Sequence, residues 1–79
     1  MAKSQFSIAY RKVPLMLRQM REQAGLTQRD LAKRVGRTQS WVFKSESSIR
    51  RIDIAEFLEW CVGCDNDPLE AFKRLMRMR

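Results

Sequence analysis

The chain has 79 residues, 44% hydrophobic and 32% charged, with a net charge of +7 and no histidine. That length gives one domain with one core and little room for an enclosed active site. The balance is that of a folded globule rather than a disordered segment. No apolar run is long enough for a membrane span, and residues 1–12 lack the apolar stretch of a signal peptide, so a cytoplasmic location is expected.

Residues 1–12 read as an N-terminal arm or a short leading turn. Lys3, Arg11 and Lys12 there either lie along a nucleic acid or form a disordered basic end. Pro14 suits the first turn of a helix, where its missing N–H costs nothing. Val13, Leu17, Met20 and Ala24 then share one stripe, and Gly25 closes helix 1. Thr27 can cap helix 2, with Asp30 reaching back from the third position. Leu31, Ala32 and Val35 face inward, and Gly36 ends the helix. Thr38 is the next N-cap, and helix 3 runs from about Gln39 to Ser47. Two short helices joined by a tight Gly-containing turn form a helix-turn-helix arrangement.

After the linker "SSIRRI", Asp53 caps helix 4, with Glu56 completing a capping box and Gly63 as the stop. Its predicted inward stripe is Ile54, Phe57, Leu58 and Cys61. Asp67 and Pro68 open helix 5, whose stripe is Leu69, Phe72, Leu75 and Met76. No run alternates with period two, so the expected class is all-α.

Charge follows this organisation. The charges of residues 1–52 are mostly basic, residues 53–70 carry acidic but no basic side chains, and Lys73–Arg79 is basic again. A positive face of this kind commonly meets phosphate; the alternative is that it only aids solubility. Cys61 and Cys64 have the spacing of a redox pair or half a zinc site. Zinc needs about four ligands, and with no His and no third Cys the pair reads instead as small apolar core residues. No glycine-rich phosphate loop or metal cluster appears, and Glu56 and Glu59 read as solvated charges. No enzymatic role, metal or cofactor is expected.

The text "LRQMREQAGLTQRDLAKRVGRTQSWV", then "RRIDIAEFLEWC" and "DPLE", resembles the Cro/CI-type (XRE) helix-turn-helix regulators over about residues 13–78, most of the chain. The resemblance implies a five-helix, lambda-repressor-like domain over 13–79 that binds operator DNA as a homodimer. Helix 3 would enter the major groove with Gln39 and Ser40 at the base edges. Gln28 would bond phosphate and brace Gln39, and Arg21 and Glu46 would form a partly buried structural ion pair. Thr38, as the cap, starts the reading helix. Arg37, Lys44, Arg50 and Arg51 are the expected phosphate or base contacts, with Arg29 close enough to touch backbone. The Trp41 N–H donates to a phosphate or the ring packs on helix 2.

Four positions depart from the family pattern. Phe43 replaces a small polar residue, Ser45 an apolar core residue, Ser48 a turn glycine and Ile49 a polar residue. Phe43 either meets thymine methyls or packs on Ile49 or a partner subunit. Ser45 is expected to bond a carbonyl one turn back. Surplus apolar residues on helix 5, with Trp60, mark Trp60, Leu69, Phe72, Leu75 and Met76 as the dimer interface. A dimeric repressor of a palindromic operator is the leading reading. An antitoxin-like module that binds both DNA and a toxin protein is the alternative, and a redox or metal sensor through the two cysteines is a third.

Overall fold

The computed structural model describes residues 8–78, in which five helices follow one another. These are α1 Ile8–Gln23, α2 Gln28–Val35, α3 Gln39–Glu46, α4 Ile54–Gly63 and α5 Pro68–Arg77. No strand occurs among the described residues.

Local chemistry sets most of the ends. Thr27 Oγ1 accepts from the Asp30 N–H at 3.0 Å and Asp30 Oδ2 accepts from the Thr27 N–H at 3.0 Å, a reciprocal box that opens α2. Gly36, at φ 70°, closes it in the left-handed region, where a side chain would be strained. Thr38 Oγ1 accepts from the Trp41 N–H at 3.0 Å and opens α3. Asp53 and Glu56 make the box of α4, and Asp67 followed by Pro68 starts α5.

Helix α1 begins at Ile8, so Pro14 is an interior residue rather than a first-turn one. Its ring removes the helical N–H bond to the Tyr10 carbonyl. A tertiary anchor offsets that loss: Tyr10 is 6% exposed, and its hydroxyl accepts from the Ile52 N–H at 2.8 Å. Arg11 and Lys12 therefore lie on a helix, not in an arm, while Lys3 falls outside the described residues.

The core joins Met16, Leu17 and Met20 of α1 to Leu31 and Ala32 of α2, Val42 of α3, Phe57, Trp60 and Cys61 of α4, Cys64, and Ala71 of α5. Each large apolar side chain buried there contributes about 2 kcal/mol. Helix α3 packs on α1 and α2, and α4 packs on α2 and α5. The α2–α4 crossing is close at Gly63, where a Cβ would stand 2.7 Å from Val35 Cγ1.

Two stripes differ from expectation. Helix α4 turns Phe57, Trp60 and Cys61 inward but leaves Ile54 71% and Leu58 46% exposed. The indole N–H of Trp60 donates to the Leu17 carbonyl at 3.0 Å, which fixes this rotation. Helix α5 buries Ala71 and half-buries Leu75, with Leu69, Phe72 and Met76 outside.

Candidate nucleic-acid interface

The first turn of α3 carries Gln39 and Ser40 on exposed positions, directly after the Thr38 cap. The earliest N–H groups of α2 and α3 have no carbonyl to bond within their own helices, so both helix starts are suited to phosphate oxygens. Gln39 shares an open groove of about 400 Å³ with Arg21, Thr27, Gln28 and Arg29. Further along α3, Phe43 is 49% exposed and Lys44 is exposed. Arg29 and Lys44 form no salt bridge among the described residues.

A buried ionic contact fixes the helix behind this face. Arg21 Nε donates to Glu46 Oε2 at 2.6 Å and Nη2 to Oε1 at 3.0 Å, while Nη1 donates to the Leu26 carbonyl at 2.8 Å. Gln28 Nε2 donates to the same Glu46 oxygen at 3.2 Å. Gln28 is thus held beside the groove through Glu46, rather than through the bond to Gln39 that the resemblance implies.

Ser45 stands at a core position with 0% exposure. Its hydroxyl donates to the Trp41 carbonyl at 2.7 Å and accepts from Arg50 Nη1 at 3.1 Å. Arg50 Nη2 reaches both oxygens of Glu56, at 3.0 and 2.8 Å. Burial would raise the Glu56 carboxyl, but the Asp53 N–H and the Arg50 guanidinium outweigh it and hold it below its ordinary value. Arg50 is therefore tied to Ser45 and Glu56 within the fold, and Glu56 is a buried partner rather than a solvated charge.

Trp41 is wedged between cations. The Arg37 Cζ lies 4.7 Å from the ring centroid and the Arg50 Cζ 5.2 Å, and the ring tilts at 38° to Trp60 with centroids 5.6 Å apart. Its Nε1 is buried without a hydrogen-bond partner among the described residues. The N–H is thus shielded from solvent in this geometry, and the ring packs against Trp60 of α4. Arg37 forks onto Glu59, with bonds of 3.1 to 3.3 Å from Nε and Nη2. Arg51 lies over the Tyr10 ring at 4.5 Å. Trp60 is fully buried and cannot be an interface residue, so it drops out of the expected dimer face.

The sequence reading missed Glu56 and Glu59 as partners of Arg50 and Arg37. The available signal was Ser45: a hydroxyl at a core position needs a buried polar neighbour. Cys61 and Cys64 are buried free thiols. Burial pushes them up to about 11 and about 12. They stay protonated at neutral pH and are poor nucleophiles and metal ligands. No group of potential metal ligands forms among the described residues. No described helix is long and apolar enough to cross a membrane.

A protein-family model for a helix-turn-helix domain matches residues 15–75. Among solved structures, an XRE-family like protein from Pseudomonas syringae pv. tomato str. DC3000 is 39% identical, with a TM-score of 0.80 over 87% of this chain and 86% of that one. The restriction-modification controller protein C.AhdI from Aeromonas hydrophila is 31% identical, with a TM-score of 0.70 over 77% and 92%. The controller protein C.Esp1396I, solved as a tetramer on its natural 35 base-pair operator, shares the fold at 22% identity, with a TM-score of 0.82 over 90% and 93%. No curated protein matches the sequence.

Proposed function

Because the chain belongs to the XRE family of helix-turn-helix DNA-binding regulators, we propose that it is a homodimeric repressor of a palindromic operator. One observation carries the reading. Gln39 and Ser40 are exposed on the first turn of a capped α3, whose far end is locked by Arg21 and Glu46. Rigid support behind exposed amide and hydroxyl groups is what base readout needs, since a loosely held side chain cannot discriminate donor patterns.

Arg29 and Lys44 supply charge beside the reading pair. With about eight phosphate contacts per dimer, the log–log dependence of affinity on salt has a slope near −7. Phe43, half-exposed one turn beyond Gln39, is assigned to thymine methyls in the groove. A second copy docks on the apolar groove between α4 and α5, lined by Ile54, Phe57, Leu58, Pro68, Leu69 and Phe72. Its exposed members form a contiguous patch of the kind that usually marks an interface. Pairing sets two α3 helices one helical turn apart, about 34 Å. With the dimer seated, polymerase is blocked by occlusion.

The test is selection from a random pool of duplex DNA, followed by footprinting of the enriched sequence. The proposal expects an inverted repeat with half-sites about one turn apart. Enrichment of no duplex would overturn the DNA reading, and a single unrepeated site would overturn the dimer.

A further inference from the structure

The contact between Arg37 and Glu59 joins two elements with different tasks. Arg37 immediately precedes the Thr38 cap of α3, and Glu59 lies midway along α4. The carboxylate occupies the Nε–Nη2 edge of the guanidinium, with distances of 3.3, 3.1 and 3.2 Å. That edge is the planar fork that also fits two oxygens of a phosphodiester. Stacking on Trp41 at 4.7 Å fixes the plane of the fork from its face, leaving the edge to be exchanged.

The other two ionic contacts of α3 and its linker differ in kind. The Arg21–Glu46 side chains are 11% and 4% exposed, and the Arg50–Glu56 side chains 30% and 12%. The Arg37–Glu59 side chains are 36% and 41% exposed. A pair that open to water contributes little to stability and is easily parted.

We propose that Glu59 is an internal stand-in for DNA phosphate. It holds the Arg37 fork in the free protein and gives way to a backbone phosphate in the complex. This rests on the DNA-binding reading and adds a regulatory element to it. Glu59 attenuates sequence-independent affinity, because each phosphate that reaches Arg37 must first displace a carboxylate already seated there. The exchange moves no covalent bond and no proton; one anion replaces another on the same cation. It leaves the base-reading residues untouched, so Glu59 weakens binding to all duplexes alike and makes the total depend more on Gln39 and Ser40.

A double-mutant cycle tests this, with a random-sequence duplex of about three helical turns as the probe at fixed salt. Glu59→Gln is expected to tighten binding about two- to fivefold, the range of an exposed ion pair. Arg37→Met is expected to weaken it, and Glu59→Gln in the Arg37→Met background is expected to give no further gain. Melting midpoints of the variants confirm that each is folded, as expected for an exposed pair. An equal gain in both backgrounds would show only removal of a distant negative charge and would overturn the proposal. So would unchanged or weaker binding by Glu59→Gln alone. If the unmodified protein bound no duplex at all, the DNA reading itself would fall, and this proposal with it.

Discussion

Glu46 sits at the last turn of α3 and takes both a two-point contact from Arg21 and a bond from Gln28. One carboxylate therefore ties α1, α2 and α3 together behind the exposed first turn of α3. With the Arg21 side chain only 11% exposed, Glu46→Ala leaves a buried guanidinium without its counter-charge. The expected loss is about 3 kcal/mol, read as a fall of roughly 12–24 °C in melting temperature. A loss below about 1 kcal/mol, the range of solvated pairs, would contradict the structural role.

Ser48 holds φ 62° without being glycine. That conformation costs an L-residue about 1–2 kcal/mol. Ser48→Gly is expected to raise the melting temperature by about 4–8 °C, the equivalent of about 1 kcal/mol. The turn position was legible in the sequence as a missing glycine, and the strain follows directly from the backbone. An unchanged or lower melting temperature would contradict it.

Glu56 is ionised and bonded to Arg50 and to the Asp53 N–H. Its folded-state pKa lies below the ordinary 4.5. The sign follows: the unfolded chain binds the proton first as pH falls. The stabilisation is fully present above the unfolded value and is lost as pH drops through the lower folded value. Urea midpoints are expected to fall below about pH 4.5, with a shallower fall in Glu56→Gln. Identical pH profiles for the two proteins would rule this contribution out.

Leu58 contributes to the apolar groove between α4 and α5. At 46% exposure, Leu58→Lys is expected to abolish dimers in sedimentation while leaving helical content unchanged. A variant as dimeric as its parent would place the interface elsewhere.

Much of the fold could be read from the chain because its signals are local. Caps at Thr27, Thr38, Asp53 and Asp67 and stops at Gly25 and Gly36 depend on neighbours in sequence. The inward face of α4 was less legible for a physical reason. Its text, "IAEFLEWCVG", is apolar over more than half of its circumference, with Glu56 and Glu59 on the remaining face. Ile54, Leu58 and Val62 make one helical stripe, and Phe57, Trp60 and Cys61 make another. Periodicity cannot choose between them; the bond from Trp60 to the Leu17 carbonyl does. Pro14 misled in the same way, since a long-range contact, that of Tyr10 with Ile52, anchors the helix on the far side of it. At the candidate interface, Gln39 and Ser40 were singled out through the family resemblance, and both are exposed on the first turn of α3. The fates of Arg37 and Arg50 were not legible, because charge shows in sequence but the carboxylate that holds it does not.

Base reading by the first turn of α3 is tested by the base-preference profile of Gln39→Ala beside that of the parent protein. Preference is expected to relax at one base pair in each half-site, by about 1–3 kcal/mol, with the phosphate-dependent salt slope retained. An unchanged preference at every position would contradict it.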